Sequence, residues 1–175
     1  HRMAFSPDGK YLYITSGERQ KMQPAQALDN HLGKVLRLYP DGSIPEDNPF
    51  ADQKGPARSI YSLGHRNLLG LAFDGKGNLW NTEMGPAGGD ELNLVQRGEN
   101  YGWPVLSNGT HYDGKDIPDH AKLGEEDEND VAVGGASGFS SPKISWNPSI
   151  SPANLLFYNG QLFPEWTNSL FIGGL

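Results

Sequence analysis

The 175-residue chain contains no cysteine, which excludes a disulfide framework and leaves the compartment open. It has no apolar run near the roughly 18 residues that a membrane-crossing helix needs. No stretch carries a 3.6-residue apolar period over three turns, so long amphipathic helices are not expected. Basic residues are in deficit, 14 Lys and Arg against 21 Asp and Glu for a net charge of −7. That balance argues against nucleic-acid phosphates as a partner.

What is abundant points to strands and turns. The chain holds 23 glycines and 13 prolines, a share that signals many turns and short strands. Four tryptophans, seven tyrosines and seven phenylalanines recur along it, which favours a packed core over disorder. The length suffices for one domain with a sizeable core. A degenerate repeat runs through it. Met3-Ala4-Phe5, Asp8-Gly9 and Leu12 to Thr15 read as strand, tight turn and strand. Leu71-Ala72-Phe73, Lys76-Gly77 and Leu79 to Thr82 repeat that pattern. A third, looser copy is Leu155 to Tyr158, Asn159-Gly160 and Leu170 to Gly173. Gly after Asp or Asn supplies the positive φ that hairpin turns require. Further strand-like runs lie between the copies, at Lys34–Leu38, Ser59–Leu63, Glu91–Gln96 and Lys143–Trp146. Units of about four short strands predict propeller blades, and the chain supplies roughly two and a half to three of them.

Three strings carry chemistry. Gly64-His65-Arg66-Asn67 follows a strand ending at Leu63 and is expected on a loop at a blade edge. Its guanidinium and carboxamide, side by side, can grip a planar, carbonyl-rich anion; the plainer reading is a surface Arg and a turn-forming Asn. His65 reads as a packed structural histidine. Met84-Gly85-Pro86 is a backbone bend within Glu83 to Asn93. Such a bend aims carbonyl oxygens at a hard cation, or is an ordinary Gly-Pro turn. Glu91 and Tyr101 flank a strand and its return turn, just before Gly102-Trp103-Pro104.

Taken in order, and with His31 to Leu38 and Pro40 to Pro45, these strings resemble the quinoprotein sugar dehydrogenases, that is, the soluble glucose and aldose sugar dehydrogenases that use pyrroloquinoline quinone (PQQ) and calcium. The resemblance implies an all-β, six-bladed β-propeller, of which residues 1–175 form a single partial domain, about half the ring. It implies oxidation of an aldose at C1 to the lactone, with hydride passing to PQQ and then to an electron acceptor, in a periplasmic or secreted protein. By resemblance, Arg66 and Asn67 contact the PQQ quinone. The carbonyls of Gly85 and Pro86 hold the calcium that also binds PQQ, and Glu91 with the main chain of Tyr101 holds a second, structural calcium. Trp146 is a sugar-stacking candidate.

The sequence departs from the family at its start. The catalytic histidine is expected upstream of a Gly-Arg-Leu strand start that here reads His1-Arg2-Met3. The base is therefore expected before residue 1, with His1 itself the candidate only in a shifted register. On this reading the chain is an internal fragment, inactive alone and prone to self-associate through open blade edges. Two alternatives stand beside it: a calcium-dependent propeller lactonase or hydrolase, and a non-catalytic propeller fragment that acts as a binding module. The acidic run Gly124 to Asp130 lacks the ligand spacing of an EF-hand and reads as a solvated loop. Asn108-Gly109-Thr110 fits a glycosylation sequon and carries no further weight.

Overall fold

A computed structural model describes residues 1–120 and 138–174; the acidic run at 124–130 lies outside the described residues. Among the described residues all regular structure is strand, apart from short 3-10 turns. The first sheet is antiparallel in the order β1 (Met3–Phe5), β2 (Leu12–Ser16), β3 (Lys34–Leu38), β4 (Ile60–Leu63). The second repeats it with β5 (Asn67–Phe73), β6 (Leu79–Met84), β7 (Asp90–Val95) and β8 (Ile144–Trp146). A third begins with β9 (Pro152–Phe157) paired to β10 (Leu170–Gly174). Each of the three repeats read from the sequence is thus the hairpin that opens a sheet, and the intervening runs are the outer strands. Two complete blades and the first half of a third stand side by side.

Local chemistry explains the hairpins. Gly9 at φ 71° and Gly77 at φ 84° take the left-handed turn position that other residues avoid. Asp8 and Asp74 brace the two turns. Asp74 accepts hydrogen bonds from the backbone of Lys76 and Asn78, the Asn78 amide and the Trp80 indole. Burial opposes its charge, but these donors prevail and hold its pKa down at about 2.

The core sits between blades. Tyr13 and Val35 of the first sheet close on Leu68, Leu79 and Val95 of the second. Tyr13 meets Tyr61 and Phe73 edge to face, with ring centroids 5.0 and 5.4 Å away. A second cluster of Leu36, Phe50, Ala57, Ile60 and Leu63 packs beneath the β3–β4 connection. The third sheet lies on the second closely enough that Gly70 has Leu155 against its backbone. At the outer ends apolar side chains face solvent. Met3 is 70% exposed and Phe5 58% on β1, and Leu156 and Phe171 are exposed on the third sheet. Among the described residues no helix is long and apolar enough to cross a membrane.

Candidate functional site

The two complete blades meet at the short link from β4 to β5, and the site is built around it. Gly64 adopts φ 74°, and its α-carbon lies so close to Asn100, Tyr101 and Gly102 that a side chain has no room. The following His65 is fully buried. Its ring contacts Ser62 Oγ at 2.8 Å and Glu83 Oε1 at 2.9 Å, and stacks on Tyr101 at 4.6 Å between centroids. It is structural, and it orients the next residue.

Arg66 is clamped from several sides. Its backbone N–H donates to Glu83 Oε2 at 2.7 Å. Nη1 donates to the carbonyls of Met84 (2.9 Å) and Gly85 (2.6 Å), and Nη2 to the Tyr112 hydroxyl at 3.2 Å. The guanidinium carbon lies 5.3 Å from the Trp103 ring and 5.8 Å from Tyr112. Nε is buried without a partner.

Two connected clefts open at this arginine. The larger, of about 530 Å³, is lined in part by Glu18, Met22, Arg66, Trp103, His111 and Tyr112. The smaller, of about 450 Å³, is lined in part by Arg66, Asn67, Gly85, Pro86, Asp90 and Tyr112. Arg66, Asn67, Gly85 and Pro86 therefore converge on one wall. Asn67 is already the first residue of β5, and only Gly64 to Arg66 form the link. A planar polyanionic quinone such as PQQ fits this wall: it meets a guanidinium held in a fixed place, a carboxamide and an aromatic face. A cation held by the Gly85 carbonyl would have to share that oxygen with Arg66 Nη1.

Glu91 and Tyr101 lie behind the wall. Glu91 pairs across the sheet with Glu83 and is buried, with Asn93 Nδ2 at 3.1 Å and His120 Nε2 at 3.6 Å. Burial and then the nearby Glu83 charge push its carboxyl well above the usual range. For Glu83 burial also opposes charge, but His65, the Arg66 N–H and Asn81 outweigh it and hold its pKa down. A cavity of about 10 Å³ touches Gly64, Glu83, Glu91 and Ser107, room for one water or ion. The Asn81, Asn93 and His120 side chains carry buried polar atoms without partners. Two carboxylates, unpaired oxygens and a small void suit a hard cation, although among the described residues no three His, Asp or Glu side chains converge as a metal cluster. Tyr101 donates its hydroxyl to Leu94 O and receives Gln96 N–H at 2.9 Å.

Two candidates lie apart from the clefts. Trp146 pairs with Asp90 across β7 and β8 and is not among the side chains lining either cleft. His1 binds Thr15 O through Nδ1 at the start of the first sheet. The sequence pattern gave no individual role to Glu18, Asp90, Tyr112, Ser149 or Ser151, although Asp90 flanks the Gly85-Pro86 bend and Ser149 and Ser151 fall in the Lys143 to Pro152 segment that resembles the family's sugar mouth; all five line a cleft. Tyr112 rides on a turn from His111 to Lys115, held by two hydrogen bonds between Ala87 and Thr110. Its side chain is 75% exposed, and an exposed tyrosine between His and Asp was the only available signal.

Comparison with known proteins agrees with this geometry. The chain is 41% identical to the aldose sugar dehydrogenase YliI of Escherichia coli over 170 residues, covering 96% of this chain and 43% of the relative. It is 42% identical to quinoprotein glucose dehydrogenase B of Acinetobacter calcoaceticus over 125 residues, 61% of this chain and 26% of the relative. Among solved structures, it superimposes on a glucose dehydrogenase with a TM-score of 0.84 at 39% identity, covering 99% of this chain and 47% of that one. The PQQ-bound aldose sugar dehydrogenase of Streptomyces coelicolor gives a TM-score of 0.68 at 33% identity, with 99% and 41% covered. The chain thus spans less than half the length of these relatives, about half of a β-propeller. The glucose/sorbosone dehydrogenase family model matches residues 1–175, and the chain belongs to that family.

Proposed function

We propose that this chain forms one sector of a PQQ-dependent aldose dehydrogenase, with calcium bound at two places. The observation that carries the reading is Arg66. It is a clamped guanidinium with an unpartnered buried Nε, on the wall of a cleft large enough for a planar quinone. Bound PQQ supplies a carbon that accepts hydride from the sugar C1, and calcium at its oxygens makes that carbon more electrophilic. The residues of the chain do the positioning. Arg66 places a fixed positive charge where negative charge develops, already oriented by Glu83 and two carbonyls. Asn67 adds a directed donor. Trp103 and Tyr112 place their rings within about 6 Å of the guanidinium, where cation–π attraction helps hold it. Gly85 and Pro86 offer carbonyls to the ion, and Glu91 with Tyr101 holds the structural ion.

The family resemblance assigns the proton acceptor to a histidine upstream of the Arg2-Met3 strand start, so residues 1–175 alone are expected not to oxidise aldoses. When it stands alone, the exposed apolar side chains of β1 and β10 meet a second copy, and light scattering after size exclusion gives the mass. The compartment proposed is periplasmic or secreted, by resemblance.

The test is binding. PQQ titrated into the chain with calcium present should quench tryptophan fluorescence, through Trp103 above all, and Arg66→Ala should weaken the binding by at least about tenfold. Calcium at about 100 times its Kd should add roughly 3 kcal/mol of stability. That corresponds to a melting temperature higher by about 6–12 °C. Glu91→Ala should remove most of the gain. Identical melts in calcium and in chelator would end the calcium assignment, and unquenched fluorescence would end the PQQ assignment.

A further inference from the structure

We infer that Asp90 is the positioning residue of the cofactor cleft, acting on Arg66 through the Met84–Gly85 peptide. The inference rests on the reading of the cleft as a quinone site.

Asp90 is fully buried at the start of β7, and among the described residues no cationic side chain pairs with it directly. A buried carboxylate without a cation is costly and must be satisfied by donors. Four reach it. Gly85 N–H donates to Oδ1 at 2.9 Å. The Ser149 hydroxyl and the N–H groups of Ile150 (2.9 Å) and Ser151 (2.8 Å) donate to Oδ2. Ser151 does so from φ 49°, a left-handed backbone that a serine adopts only when its surroundings require it.

The Gly85 N–H belongs to the same peptide as the Met84 carbonyl. That carbonyl accepts Arg66 Nη1 at 2.9 Å. The chain of contacts therefore runs from the Asp90 carboxylate through one peptide group to the Arg66 guanidinium. Hydrogen bonds in series polarise one another in a low-dielectric interior. The carboxylate thus raises the acceptor strength of Met84 O and serves as a relayed counter-charge that helps hold the Arg66 fork in place at the cleft. The same bond fixes the bend at Gly85, so the Gly85 and Pro86 carbonyls keep their aim. Its other oxygen ties down residues 149–151, and Ser149 and Ser151 also line the cleft. One side chain therefore braces both the Gly85 bend and residues 149–151 along the cleft it helps to line.

The test compares Asp90→Asn with Asp74→Asn. Asp74 also gathers four donors, in a surface turn remote from the cleft, and serves as the control for loss of an anchored carboxylate. PQQ affinity is read by fluorescence quenching in calcium, and folding by thermal melts. Asp90→Asn should weaken PQQ binding by at least about tenfold, the usual cost of removing a residue that orients a ligating group. Asp74→Asn should change the affinity by less than about threefold. In an Arg66→Ala background, Asp90→Asn should cost much less than in the wild type, because its effect passes through Arg66. If Asp90→Asn does not fold, Asp90→Glu takes its place, since an extra methylene displaces the carboxylate from Gly85 N–H. Wild-type affinity in the Asp90 variant, or full additivity with Arg66→Ala, overturns the inference and leaves the cleft reading standing. A wild-type chain that binds no PQQ overturns both.

Discussion

Replacing Glu83 with glutamine tests the framework of the site without touching the cleft surface. The side chain is 3% exposed. It receives His65 Nδ1 at 2.9 Å, Arg66 N–H at 2.7 Å and Asn93 Nδ2 at 2.8 Å. Glutamine keeps the shape and one acceptor oxygen. Its other terminal atom becomes an NH₂ group that must face His65 and Asn93 or the Arg66 N–H, donor against donor. Hydrogen bonds to charged groups contribute about 1.5–3 kcal/mol each, and removing one partner of a buried ion pair costs about 3–5 kcal/mol. One oxygen is retained, so the lower end applies, about 3 kcal/mol. For a chain of this size that lowers the melting temperature by roughly 6–12 °C. Urea unfolding followed by tryptophan fluorescence gives the free energy, and calorimetry gives the temperature. A loss below about 1 kcal/mol with an unchanged urea slope would show that His65 and the Arg66 N–H do not depend on this carboxylate. The account of how the β4–β5 link is held would then be wrong.

Gly64→Ala should cost more than about 3 kcal/mol or prevent folding, because it combines positive φ with a methyl group driven into Asn100 and 2.7 Å from Gly102 N. Gly77→Ala has the same sign of φ but open space around it, so it should cost only about 1–2 kcal/mol; equal losses measured in urea would refute the packing argument. Lys34 is fully buried with Nζ on the carbonyls of Pro24, Ala25 and Leu32. Burial lowers its pKa from 10.5 to about 7, against the upward pull of Asp29. The unfolded chain then binds a proton that the folded chain lacks between about pH 7 and 10.5, so stability should rise with pH across that window. Lys34→Met should flatten the rise, and an equal slope in both proteins by urea titration would assign it to other groups.

The strands and their pairing were legible because their causes are local. Alternating apolar residues on either side of Asp8-Gly9 and Lys76-Gly77 select a hairpin within a dozen residues, and the recurrence of that unit marks the blades. Gly64 to Asn67 and Met84 to Pro86 were legible for a similar reason: glycine, proline, a cation and a carboxamide in sequence order restrict what the chain can do there. Arg66, Asn67, Gly85 and Pro86 accordingly share one cleft wall. Asp90, Tyr112 and Glu18 gave little local signal. An aspartate at a strand start, an exposed tyrosine and a glutamate in a turn have many ordinary explanations. Trp146 stood out as an aromatic beside prolines; its β8 register pairs it with Asp90, and it is not among the side chains lining the two clefts at Arg66.

The sequence by itself determined the secondary structure, the blade repeat, the family and the backbone devices of the site, since turn geometry and strand alternation act over a few residues. Tertiary structure alone decided which polar groups meet. The donors on Asp90 come from Gly85 and, about sixty residues further on, from Ser149 to Ser151. A buried carboxylate is tolerable only once the β8–β9 connection has folded over it and replaced the water it lost.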